Sequence, residues 1–197
     1  MVESDNRNPD GGIIQSSRNV IIMINKLTQI LPPPASPSDS GKGKTWPLIP
    51  GSIKFPSDYV DFINTYGSGR IADFIVIFNP FSKDENVNFF DQYNYISEDL
   101  GYLIESDSDY YKYKLYPDDN GLIPVGVTDN GDYIFWVVTS KENSNQWGTA
   151  VIPSRSPDVE YFECNLVSLI EQILDKSLKA SSLPDDFPSK PLIFETL

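Results

Sequence analysis

The chain has 197 residues, 40% of them hydrophobic and 13% aromatic, enough for one domain with a sizeable core. A net charge of −13 and a pI near 4.3 argue against partners that are themselves anionic, nucleic acid and acidic membranes above all. Histidine is absent and Cys164 is the one cysteine, which excludes an intramolecular disulfide, a Cys–His nucleophilic pair and a histidine-based metal centre.

Residues 1–12 are polar and end in Asn8-Pro9-Asp10-Gly11-Gly12, a composition that predicts disorder. Residues 13–45 read as an N-terminal helix and a linker. Val20, Ile21, Ile24, Leu27, Ile30 and Leu31 follow helical spacing until Pro32-Pro33-Pro34 stops it. The Pro/Gly/Ser stretch to Thr45 is then predicted extended at its prolines and flexible around Gly41-Lys42-Gly43-Lys44. That Gly-Lys run lacks the frame of a phosphate loop and leads into Trp46-Pro47 rather than a helix. No basic-then-apolar leader opens the chain, and Val20–Ile24 is too short to cross a bilayer, so a cytoplasmic protein is expected.

Residues 46–197 carry the domain. Pro56 suits a first helical turn, with Ser57 and Asp58 beside the positive helix end. Phe55, Tyr59, Phe62, Ile63 and Tyr66 share one face, and Gly67 supplies the left-handed residue that closes the helix. After Gly69, Ile71 to Phe78 reads as one strand, ended by Asn79-Pro80. Phe89, Tyr93, Ile96, Leu100, Leu103 and Ile104 predict an amphipathic helix over about Asn88–Glu105. Strands follow at Leu122–Val127, Tyr133–Val138, Trp147–Ile152 and Val159–Phe162. Pro124 restricts the first of these to an edge or a start, and Asn130-Gly131 makes a hairpin. Asn165 caps a helix striped by Leu166, Leu169, Ile170, Ile173, Leu174 and Leu178, and the tail from Pro184 is expected to strap over the body. Consecutive strands bracketed by helices predict a single α+β domain, an antiparallel β-sheet meander with flanking helices on one face.

The motifs also resemble a family. Phe55-Pro56-Ser57-Asp58-Tyr59, the Phe62-Ile63 pair, Tyr66-Gly67-Ser68-Gly69-Arg70-Ile71 and Asn79-Pro80-Phe81 look like the signature of the SUKH superfamily. Gly121–Gly126, Thr128–Asp132 and Phe135-Trp136 resemble its second block. The likeness spans Trp46 to Lys179. It departs before the first motif, where Pro47–Lys54 stands in place of an acidic helix, and at Phe55, which replaces a leucine. Trp46, Pro56, Tyr59, Gly67, Gly69, Gly126, Gly131, Asp132 and Trp136 are its motif positions, and each reads mainly as structural: backbone requirement, turn or core. The superfamily is named for a fungal cell-wall assembly regulator, and most bacterial members resemble immunity proteins against polymorphic toxins.

That resemblance implies a non-enzymatic, bacterial, cofactor-free immunity protein, monomeric when free, that neutralises a cognate protein toxin of basic, nuclease type. The alternative is a scaffold or regulatory interaction module without a toxin partner. Acid-only residues between Asp84 and Tyr111 supply the candidate surface: Asp84, Glu85, Asp91, Glu98, Asp99, Glu105, Asp107 and Asp109, with Tyr95 and Tyr102 interleaved. Tyr93, Tyr110 and Tyr111 lie in the same run. Asp107-x-Asp109 and Asp118-Asp119-Asn120-Gly121 lack the frame of a calcium loop. A hydrolase reading would use a carboxylate pair such as Asp129 and Asp132, and two acids on a hairpin are common in so acidic a chain.

Overall fold

The computed structural model of the chain describes residues 24–154 and 156–197. The predicted disorder over 1–12 and the start of the N-terminal helix lie outside the described residues.

Helix α1 covers residues 24–30, and Leu27 and Leu31 are wholly buried. The Tyr66 hydroxyl donates to the Leu31 carbonyl at 2.7 Å, and the Lys26 ammonium pairs with the buried Glu171 carboxylate. Residues 32–45, read from composition as a flexible linker, have fixed partners. Ser68 N–H donates to the Ser38 carbonyl at 2.8 Å, and the Asn79 amide donates to the Asp39 carbonyl at 3.2 Å. Gly41 lies so close under the Trp46 and Phe81 rings that a Cβ there would stand 2.6 Å from each. Composition marks the lack of regular structure in this stretch but not the contacts that hold it.

Helix α2 (Ser57–Tyr66) comes next, followed by β1 (Gly69–Ile71), β2 (Ile75–Ile77) and α3 (Phe89–Ser106). Then come β3 (Leu122–Thr128), β4 (Tyr133–Val137), β5 (Gly148–Ile152), β6 (Glu160–Phe162), α4 (Leu166–Leu174) and β7 (Phe194–Thr196). Among the described residues seven strands form one antiparallel sheet in the order β6-β5-β4-β3-β2-β1-β7. This is the expected α+β meander, with the C-terminal strap entering the sheet as edge strand β7. Gly69 permits that pairing, since a Cβ on it would fall 2.4 Å from the Glu195 carbonyl.

Three local expectations are corrected. The apolar run Ile71–Phe78 is not one strand: Ala72 (φ 50°) and Asp73 (φ 53°) fold it into the β1–β2 hairpin. Neither residue is a glycine or asparagine, so the turn has no sequence signal; Arg70 holds it through hydrogen bonds to the Asp73 carboxylate (3.3 Å) and carbonyl (3.2 Å). Pro124 lies in the central strand β3 rather than at an edge. The register against β4 shifts between Pro124 and Gly126, and such a bulge accommodates a residue with no N–H. The helices do not keep to one face. Consecutive β4 residues Ile134 to Val137 are all buried, which requires cover on both sides. Tyr59 of α2 meets Trp136 at 5.0 Å between ring centroids, as Phe89 at the start of α3 does at 6.0 Å, while Asp99, Leu100 and Leu103 further along α3 lie with Tyr133, which points the other way along the strand.

Candidate functional site

The motif residues of α2 and the sheet are turned inward. Trp136 is 1% exposed and packed by the rings of Tyr59, Phe55, Phe89 and Trp147, with centroids 5.0–6.2 Å away. Trp46 joins the same cluster through Phe55 at 5.5 Å and Phe81 at 4.9 Å. Tyr59 is wholly buried, and its hydroxyl donates to the Phe78 carbonyl at 2.5 Å; burial pushes that phenol well above its ordinary range. Gly67 takes φ 70° and lies against Ser38, where a Cβ would stand 1.9 Å from the carbonyl oxygen. Pro56 is the buried N-cap of α2, and Gly126 lies where a Cβ would be 2.8 Å from the Val76 carbonyl.

Asp58 is 3% exposed, and its Oδ2 accepts from Val167 N–H at 3.1 Å, within the first turn of α4. One carboxylate thus ties the positive ends of two helices together. Burial pushes its pKa up, and the N–H groups of Val167, Tyr59 and Asp58 itself oppose that rise. Asp132 is likewise buried. Its Oδ2 accepts from the Thr128 hydroxyl at 2.6 Å and its Oδ1 from Ser154 N–H at 3.1 Å, across the turn made by Gly131 (φ 80°). Asp129 pairs instead with Arg70, so the two acids weighed as a hydrolytic pair are engaged separately. Among the described residues no group of three metal-ligating side chains converges, and no helix is long and apolar enough to cross a membrane.

Helix α3 is organised differently. Asn88 caps it, accepting from Phe90 N–H at 2.8 Å and Asp91 N–H at 3.3 Å. Phe89, Ile96 and Leu100 are buried against the sheet. Tyr93 stacks on Phe89 at 6.2 Å and is half-buried, so it belongs with the inward side rather than with the exposed tyrosines. On the outward side Asp91, Tyr95, Glu98, Tyr102 and Glu105 recur at helical spacing, a single stripe that alternates carboxylate and phenol. Tyr95 is 62% and Tyr102 71% exposed. A shallow hollow of about 620 Å³ lies along this stripe, reaching Asp99 on its flank.

All ten residues nominated as a partner surface are exposed, but they do not converge on one point. Five form the stripe, Asp99 flanks it, and the rest lie beyond the two ends of a helix roughly 27 Å long. Asp84 accepts from Asn86 N–H at 2.9 Å in the loop before α3, next to Glu85. Asp107 accepts from Tyr110 N–H at 3.0 Å in the turn after it, next to Asp109.

Among the described residues the stripe has no internal counter-charge: no Lys or Arg makes an ion pair with an acid between Asp84 and Asp109. Glu105 and Asp107 stand at the negative end of the helix, whose last turn has no basic residue. Carboxylates at the negative end of a helix are destabilising by roughly a few tenths of a kcal/mol unless a cation offsets them.

Beside α3 lies a groove of about 480 Å³, where Asp99 and Leu103 face Tyr110, Tyr111, Tyr113 and Tyr133. The rings of Tyr110 and Tyr111 meet edge-on at 5.0 Å, and those of Tyr111 and Tyr113 at 6.1 Å. Burial first, then the charges of Tyr111 and Asp99, pushes the Tyr113 phenol up to about 12. Burial, then Tyr95 and Asp99, pushes Tyr133 up as well. Sequence reasoning missed the buried Tyr113 and the half-buried Tyr133 as groove residues: Tyr133 reads as an ordinary strand residue, and nothing local signals that β4 brings it under α3.

A model of the SUKH_6 family, described as SMI1-KNR4 cell-wall, matches residues 52–167. No curated protein and no solved structure matches the chain.

Proposed function

The chain belongs to the SUKH_6, SMI1-KNR4 cell-wall family, and from that premise we propose that it is an immunity protein that binds and neutralises a cognate basic toxin, of nuclease type, without catalysis of its own. The observation that carries this reading is the exposed acid–tyrosine stripe of α3, Asp91, Tyr95, Glu98, Tyr102 and Glu105, with no cation of the described chain paired to it. A groove that binds nucleic acid is basic, so an acidic helix face would compete for it and steer the encounter. Tyrosines add buried contact area at small entropic cost. The motif residues of α2 and the sheet are used for packing, which leaves α3 as the element free to recognise a partner.

The test begins with copurification from the native host. Recovery of one small basic protein supports the immunity reading, whereas recovery within a large endogenous complex favours the scaffold alternative that the family's cell-wall description suggests. With the basic protein in hand, Glu98, Asp99 and Glu105 are changed together to Lys. Association at low ionic strength should slow by about tenfold or more and lose most of its salt dependence. An unchanged rate across ionic strength would remove α3 as the recognition face.

A further inference from the structure

We propose that the tyrosine groove beside α3 is a subsite for an arginine-bearing, extended segment of the protein partner. The inference rests on the partner-binding reading and gives its chemistry. The groove meets the hollow on the α3 stripe at Asp99, which lines both, so a chain lying along the stripe has a continuous path into it. Its volume of about 480 Å³ falls within the roughly 300–1,000 Å³ usual for small-ligand pockets.

Three features select a guanidinium. Tyr110, Tyr111, Tyr113 and Tyr133 line the groove, and on aromatic rings a planar, weakly hydrated cation stacks better than an ammonium does. Asp99 supplies a carboxylate that a fork of N–H donors can engage on two oxygens. Burial raises the phenols of Tyr113 and Tyr133, so these two rings remain neutral and their oxygens still accept hydrogen bonds. Tyr110, 54% exposed, forms the outer lip and is held in place by its N–H bond to Asp107. A bare acidic patch would take any cation; this groove discriminates among them.

The test uses the full chain and fluorescein-labelled heptapeptides of Gly and Ser carrying two Arg, two Lys or two Gln, with binding read by anisotropy. The Arg peptide is expected to bind, the Lys peptide about fivefold or more weaker, and the Gln peptide not measurably. Tyr110→Ala and Asp99→Asn should each weaken the Arg peptide by about tenfold. Asp186→Asn, an exposed acid in the C-terminal strap, should change it less than about twofold. Far-UV circular dichroism and the urea midpoint confirm that Tyr110→Ala is folded. Equal affinity for Arg and Lys peptides, equal loss in Asp186→Asn, or no Arg-peptide binding at millimolar concentration would each overturn the subsite. The two proposals fail separately. If Tyr110→Ala leaves the copurified protein's association unchanged while the α3 charge reversal slows it, only the groove is wrong. If Glu98→Lys with Glu105→Lys, which leaves Asp99 in place, has no effect on association while Tyr110→Ala slows it, only the α3 stripe is wrong.

Discussion

Helices α2 and α3 handle acidic residues in opposite ways. In α2, Asp58 is 3% exposed, and its carboxylate accepts the Val167 N–H of another helix. In α3, Glu98 and Glu105 are exposed and paired with no cation among the described residues. The inward helix uses its charge to position an element, so its residue types are dictated by contacts within the chain. Among the described residues the carboxylates of the outward stripe make no ion pair, so its composition answers to something outside the molecule or to solubility alone. Motif density therefore marks architecture here.

The sharpest way to break this contrast is in the core that α2 covers. Trp136→Ala should destabilise the fold by about 3–5 kcal/mol, because it empties the space between four aromatic rings. Urea unfolding measures it, and a loss below about 1 kcal/mol would mean the cluster collapses around the void.

Asp58 is the next probe. Asp58→Ala leaves the Val167 N–H buried without its acceptor, at a cost of about 1–3 kcal/mol. Asp58→Asn tests the charge alone. The folded pKa of Asp58 is raised above the unfolded value of about 3.9. Its contribution is therefore full below that unfolded value and is lost as pH rises through the folded one. Denaturation from pH 3.5 upward should accordingly show wild type losing stability relative to Asp58→Asn across that window. The opposite slope would mean that the N–H donors outweigh burial.

The smallest effect has the opposite sign. Glu98→Gln with Glu105→Gln should stabilise the free protein by a few tenths to about 1 kcal/mol at low salt, because it removes uncompensated charge from the C-terminal half of α3. The gain should shrink as salt is added. The same pair should weaken partner capture, and a variant that is neither stabilised nor impaired would make the stripe an ordinary solvated face.

Much of the frame can be read from residue order. The spacing of Phe55, Tyr59, Phe62, Ile63 and Tyr66 places α2, and Asn88 and Asn165 mark the first turns of α3 and α4 through the same capping chemistry. The aromatic and β-branched run Tyr133–Val138 and the run Trp147–Ile152 give two strands of the meander. Turns without glycine are another matter. Ala72-Asp73 is held in its left-handed conformation by Arg70, a side chain whose role depends on the folded hairpin.

The candidate site divides in the same way. Exposure of the acids in α3 follows from local periodicity: the apolar residues claim one side of the helix, and the acids take the other. Sequence alone thus determined the helices, most strands, the α+β class and the family resemblance, because each rests on interactions between near neighbours in the chain. Tertiary structure decided the fixed course of residues 32–45, Pro124 at the centre of the sheet, and the groove in which Tyr110 to Tyr113 meet Asp99 and Tyr133. Those depend on pairings between distant segments, which leave no periodic trace in the order of residues.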